Sequence, residues 1–158
     1  MNQSPRGDSL PEKGRLAGID FGTRRIGIAV CDTRQQLASP LDVYQRRSEP
    51  EDAVYFQQLV DDESLVGLVV GLPVHVSGEE SQKSQQARLF GNWLSQLTGL
   101  PVTYHDERYS TVQAEEVLGA ASLTSKQRRQ RIDKVAAQFI LSAYLESTRS
   151  TGDPGSLD

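Results

Sequence analysis

Apolar and polar positions alternate in a way that predicts strands first, and strands separated by helices later. Leu16-Ala17-Gly18-Ile19 runs into Asp20, Gly22-Thr23-Arg24-Arg25 reads as a tight turn, and Ile26 to Val30 runs back. Gln36 to Tyr44 offers a third strand through Leu37, Leu41 and Val43. Pro40 interrupts it, which suits an edge strand or a bulge. Leu65 to Gly71 is a continuous apolar run, the pattern of a strand covered on both faces. Pro101 to His105 supplies a short fifth strand.

Helix signals lie between and after these runs. Ser48-Glu49-Pro50-Glu51 opens a helix with early acids, which suit the positive end of the helix dipole. Ala53, Phe56, Leu59 and Val60 give it an apolar side through Asp61. Leu72 to Gly78 reads as a loop, and Glu79 to Leu97 as the next helix. Phe90, Trp93, Leu94 and Leu97 fall on one face of that helix, and Gly99 ends it as a C′ glycine would. Ser110 to Gln113 is a capping-box pattern opening a helix to about Leu118. Thr124 with Gln127 repeats the pattern before the last stripe of Ile132, Val135, Ala136, Phe139, Ile140, Ala143 and Tyr144.

This order predicts an α/β fold: a mixed five-stranded sheet of three hairpin-linked antiparallel strands plus two parallel ones, with helices on both faces. One domain is expected over residues 15–147, between polar, disordered tails at 1–14 and 148–158. Ligands of such sheets bind beyond the carboxyl ends of the parallel strands. Asp20, the Gly71-Leu72-Pro73 corner and Asp106-Glu107-Arg108 are all expected on that rim.

Composition narrows the setting. A single cysteine, Cys31, forbids an internal disulfide and makes a reducing, cytoplasmic location the default. No apolar run approaches a membrane span, and the polar N-terminus lacks the apolar region of a secretory signal. Net charge is −4 across 158 residues, against binding nucleic acid by bulk charge. A nuclease remains open, because Lys126, Arg128, Arg129, Arg131 and Lys134 cluster in sequence, with Arg24 and Arg25 as a second group.

An acid at the end of an apolar strand is costly to bury unless it is paired or holds a metal. Asp20 and Asp133 both raise this problem, the second because it sits at the start of the last helix's apolar stripe. If that helix crosses the first strand, Asp20, Asp133 and Glu107 would form an all-oxygen cluster, which selects Mg²⁺ or Mn²⁺ over zinc. Two such ions about 3.5–4 Å apart can activate water and stabilise the leaving oxygen of a phosphodiester. Blander readings stand beside this one. Asp20 could cap the Gly22 turn, Glu107 could pair with Arg108, and Asp133 could pair with Arg129. His75 and His105 read as surface or rim residues and Cys31 as a small strand hydrophobe. Phe90 and Trp93 read as core. Ser110 and Thr111 are helix caps first, at a helix end that could also receive a phosphate.

Gly18–Asp32 (GIDFGTRRIGIAVCD), Val69–Pro73 with Gly78, His105–Thr111 (HDERYST) and Arg131–Leu141 (RIDKVAAQFIL) together resemble the bacterial pre-16S ribosomal RNA nuclease family, also called Holliday-junction-resolvase-like. The resemblance covers roughly residues 15–147. It implies an RNase H-like fold and metal-dependent cleavage, with Mg²⁺ or Mn²⁺, of structured RNA or branched DNA in ribosome biogenesis. Asp20, Glu107 and Asp133 carry over as the catalytic, metal-binding triad. Arg24, Arg25, Pro73, Gly78, Arg108, Ser110 and Lys134 become candidate substrate contacts. Ribosomal precursor particles are implied partners, and the chain is expected as a monomer or weak homodimer away from membranes. Two positions depart from the family pattern. Ser77 stands before Gly78 where an acid or amide is usual. The end of the fourth strand, Gly71-Leu72-Pro73, lacks the acid of related resolvases, so Glu107 would replace it from the fifth strand.

Two other classes compete. Asp20-Phe21-Gly22-Thr23 also fits the phosphate-binding hairpin of the actin and sugar-kinase type, but 158 residues cannot supply the second lobe. A non-catalytic RNA-binding assembly factor would keep the same fold.

Overall fold

The computed structural model describes residues 10–73, 82–106 and 124–151. The strands are β1 (Arg15–Asp20), β2 (Arg25–Cys31), β3 (Ala38–Gln45), β4 (Leu65–Leu72) and β5 (Val102–Asp106). The helices are α1 (Glu49–Glu63), α2 (Gln82–Thr98) and α3 (Ser125–Thr151). One sheet holds all five strands in the order β3-β2-β1-β4-β5. The first three are antiparallel neighbours, and β4 and β5 run parallel to β1. The mixed sheet expected from the sequence is therefore present. β3 is an edge strand, and its register against β2 shifts between Ile28 and Ala29, so that Leu41 is the extra residue beside Pro40. A proline is tolerated there because a bulge on an edge strand needs no ladder donor.

Strand alternation sorts the core into two layers. Ala17, Ile19, Ile26, Ile28, Val30, Leu68 and Val70 face α1 and α2, meeting Phe56, Leu59, Phe90 and Leu94. Leu16, Ala29, Cys31, Ala38 and Val69 face α3, meeting Ala137, Ile140, Leu141 and Leu145. The second layer is built from smaller residues, so α3 lies closer. A Cβ on Gly18 would stand 2.8 Å from the Ala137 carbonyl oxygen, and one on Gly27 would collide with the backbone carbonyl of Asp133.

Local signals hold at the helix ends. Ser48 caps α1 in a complete capping box with Glu51, Gly99 follows α2 at φ +75, and Thr124 and Gln127 exchange side-chain-to-amide hydrogen bonds of 3.1 Å. Contacts also reach towards the chain ends. Leu10 packs on the α3-side core, and the Gln35 side chain donates to the carbonyls of Pro11 and Gly14. These contacts tie residues 10–14 to the sheet domain. At the other end α3 is helical to Thr151. The expected helix at 110–118 and most of the 72–78 loop lie outside the described residues, although Leu72 itself completes β4.

Among the described residues Asp52, Ser84 and Thr103 are the buried polar ones, and Asp52 is the carboxylate among them. Asp52, only 1% exposed, accepts from the Tyr44 hydroxyl at 2.6 Å, the Arg47 amide at 2.9 Å and the Arg46 guanidinium at 3.3 Å. Burial alone would raise its pKa. The Tyr44, Arg47 and Arg46 donors outweigh that and hold the carboxyl below its usual range. A depressed folded-state pKa contributes stability that is whole above the ordinary carboxylate range and is lost as pH falls from there through the lowered folded-state value.

Two outcomes follow from the packing. Asp52→Ala should cost about 3 kcal/mol, because three donors lose their acceptor. In urea melts its deficit should be largest near neutral pH and narrow in acid. Gly27→Ala should cost about 1–3 kcal/mol by overpacking. A midpoint equal to wild type would show that α3 does not bear on that glycine.

Candidate active site

β1 delivers Asp20 to the rim. Its register partner across the hairpin is Gly27, and the backbone of Asp133 lies over Gly27. The two acids thus meet through one glycine, on the α3 side of the sheet. Asp20 and Asp133 line the same cavity of ≈ 330 Å³, together with Gly22, Thr23, Arg24, Arg25, Pro73 and Lys83. Both acids are partly buried. Of the residues singled out from sequence, Asp20, Asp133, Arg24, Arg25 and Pro73 are gathered here. Glu107, Arg108, Ser110 and Gly78 lie outside the described residues. Among the described residues no group of three His, Cys, Asp or Glu side chains could share a metal ion.

The Asp133 partner is not its helical neighbour Arg129. Arg25 Nε donates to Asp133 Oδ2 at 2.6 Å, joining the start of β2 to α3. A charge-assisted contact this short, with both side chains partly buried, is stronger than an exposed pair. Arg25, expected as a substrate contact, is therefore engaged with an acid of the cavity. Lys134 is also elsewhere: it lines a separate cavity of ≈ 320 Å³ with Arg131, Gln130 and Asp42, against the edge strand. One helical residue further on, its side chain points about 100° away from that of Asp133. Lys83 and Gln86 of α2 line the acid cavity, and sequence reasoning missed them. They lie one and a half turns or less into α2, on a helix read only for its apolar stripe.

His105 is half buried, its ring edge-on to Tyr144 at 6.4 Å. Burial lowers its pKa, only partly opposed by Asp106. Cys31 is buried, accepts from the Leu16 amide at 3.2 Å, and has its pKa raised, chiefly by desolvation. Neither has the setting of a zinc ligand or a nucleophile. Among the described residues no helix is long and apolar enough to cross a membrane.

A family model described as "RuvX: Holliday junction resolvase" matches residues 14–147. The chain belongs to the RuvX family. A Rhodopirellula baltica protein is 45% identical over 146 residues, spanning 92% of this chain and 84% of its own length. One from Paracoccus denitrificans is 43% identical, with 92% of each chain covered. Both bear the name "Putative pre-16S rRNA nuclease". Among solved structures, Thermus thermophilus RuvC in complex with a Holliday junction substrate superposes with TM-score 0.52 at 16% identity, over 85% of this chain and 95% of that one. Fowlpox virus resolvase, in a complex with Holliday junction DNA, gives 0.51 at 9% identity, over 84% and 97%. At such identities the likeness is one of fold: this RuvX chain has the resolvase, RNase H-like architecture.

The Arg25–Asp133 contact is measurable. A double-mutant cycle with Arg25→Gln and Asp133→Asn, read by urea unfolding, should return a coupling of about 1 kcal/mol. Strict additivity would mean that the pair contributes nothing.

Proposed function

We propose that this RuvX protein is a metal-dependent endonuclease that cleaves precursor 16S ribosomal RNA in the cytoplasm, with Asp20, Asp133 and Glu107 as its acidic residues. The observation that carries the reading is the convergence of Asp20 and Asp133 on one cavity, at the carboxyl end of β1, in a chain of this family. Carboxylate oxygens from a strand end and a helix suit a hard divalent cation such as Mg²⁺ or Mn²⁺. The donor chemistry fits, and Glu107 would complete the set. Such a cation, when bound, supplies water activation and charge stabilisation at the leaving oxygen.

The chain's own groups have definable tasks. Asp20 sits on a strand pinned on both sides, so its carboxylate is held with little freedom. Asp133 is oriented by the Arg25 contact at 2.6 Å. Arg24 and Lys83 supply positive charge along the same cavity, as a phosphate backbone requires. An arriving phosphate competes with Asp133 for Arg25, so substrate binding would redistribute that contact.

A second reading is cleavage of branched DNA, favoured by the family's description as a Holliday junction resolvase. Side-by-side assays on precursor RNA and on a four-way DNA junction, with and without Mg²⁺ or Mn²⁺, separate the two. Asp20→Asn and Asp133→Asn should each lower the cleavage rate at least about 100-fold with an unchanged circular dichroism spectrum. Near wild-type cleavage by either variant would refute the proposed site. Binding of Mn²⁺, followed by its paramagnetic resonance signal, should weaken in both variants and tighten about fivefold in Arg25→Gln, where Asp133 loses its competing cation.

A further inference from the structure

A second cleft opens beside the acid cavity, and the chemistry above does not use it. It has a volume of ≈ 360 Å³ and is walled by Phe21, Phe90, Trp93 and Arg46. Phe21 and Phe90 lie 4.8 Å apart, and Phe90 and Trp93 5.6 Å apart, each pair tilted by about 35°. Phe90 is buried and forms the floor, while Phe21 and Trp93 are partly exposed. The Arg46 guanidinium carbon sits 5.3 Å from the Phe21 centroid and 5.4 Å from that of Phe90. Asp52 holds Arg46 there through its buried carboxylate. At the rim Leu89 is 69% exposed.

This cleft runs on from the acid cavity: Phe21, Thr23 and Gln86 line both. The reason lies in strand alternation. Asp20 and Phe21 are consecutive, so they leave the end of β1 towards opposite faces of the sheet. A strand whose phosphate lies at Asp20 and Asp133 would pass its neighbouring nucleotide over the rim to Phe21. Aromatic rings and an arginine plane are the surfaces on which unpaired bases stack, with little regard to sequence. Arg24 and Lys83 in the adjoining cavity supply the charge complementary to the backbone.

We propose that the Phe21–Trp93–Arg46 cleft receives an unpaired base of the substrate strand next to the scissile phosphate, so that the preferred substrate carries a single-stranded or bulged nucleotide beside its cleavage site. The proposal rests on the nuclease reading for the position of that phosphate.

Trp93 is the chain's one tryptophan, so its emission reports on the cleft directly. The full chain, with no divalent ion added, is titrated with three duplex RNAs: blunt, with a short single-stranded extension, and with that extension made abasic. Emission should be quenched by the intact extension only, and the abasic version should bind about tenfold more weakly. Phe21→Leu, which keeps an apolar side chain without a ring, should reduce affinity for the intact extension to the abasic level and abolish the difference between the two extensions, with an unchanged circular dichroism spectrum. Equal quenching by intact and abasic extensions would overturn the proposal. So would a Trp93 shift that follows protein concentration alone, together with dimerisation in sedimentation, because a second copy would then fill the cleft. Cleavage in Mg²⁺ without Trp93 quenching removes the cleft and leaves the nuclease. Quenching with no cleavage of any substrate does the reverse.

Discussion

The candidate site depends on how closely the last helix approaches the sheet. Asp133, Ala137 and Leu141 are spaced four residues apart, so they form one row along α3. That row lies over Gly27 and Gly18, where any Cβ would meet helix backbone or the Leu141 side chain. One helical step of four residues advances about 6 Å, and two strand residues advance about 6.7 Å. The two periods nearly match, so contact at Gly18 fixes contact one turn away at Gly27. Moving towards the carboxyl end of β1 means moving towards the start of α3. Asp133 is therefore delivered opposite Asp20, the register partner of Gly27. Each strand glycine costs about 0.5–1 kcal/mol in backbone freedom, and what it returns is the placement of the second acid.

The two sheet faces differ for a related reason. The face towards α1 and α2 is filled by large side chains, including Phe56 and Phe90, and by the aromatic series that continues to Trp93. The face towards α3 mixes Leu16, Val69, Ile140, Leu141 and Leu145 with the small Ala29, Ala38, Cys31 and Ala137, and has no side chain at Gly18 and Gly27. Small residues bring backbone close and leave polar chemistry at the rim, whereas large ones hold the helices further off and leave a ring-lined cleft at their edge. Phe21 turns away from Asp20 into that cleft. A single hairpin end thus serves both faces.

Much of this could be read from residue order. Alternation and run length identified all five strands, and the crossover rule fixed β4 and β5 as parallel to β1. The caps at Ser48 and Thr124 and the stop at Gly99 were local, and local signals survive folding. Asp20 and Asp133 could be paired because both were acids in apolar settings. What was not legible depends on distance in sequence or on side-chain direction. Arg25 and Asp133 are 108 residues apart, and spacing alone favoured Arg129, one turn back on the same helix. Lys134 was grouped with Asp133 by adjacency, but one residue on a helix is a turn of about 100°, enough to place it in another cavity. Leu10 carried no periodic signal, because a single apolar residue packing under a strand has no pattern.

Arg25 links these observations to the electrostatics of the rim. Two carboxylates lining one cavity repel each other, and partial burial makes the repulsion stronger than in water. A cation standing close offsets that repulsion. Arg25 fills that place, and a guanidinium suits it better than an ammonium, because its fixed donor fork can aim one N–H at Asp133 while others remain for a second oxygen. It is the first residue of β2, paired with Gln45 of β3, so the sheet holds its backbone while its side chain reaches α3. A divalent ion or a phosphate placed in the cavity would compete with one half of the Arg25–Asp133 pair. On the proposed function, the contact that stabilises the acids in isolation would be the one that substrate binding rearranges. This accounts for a basic turn placed beside the central acid of an overall acidic protein: the local charge balance at the rim, and not the net charge of −4, decides what the cavity can hold.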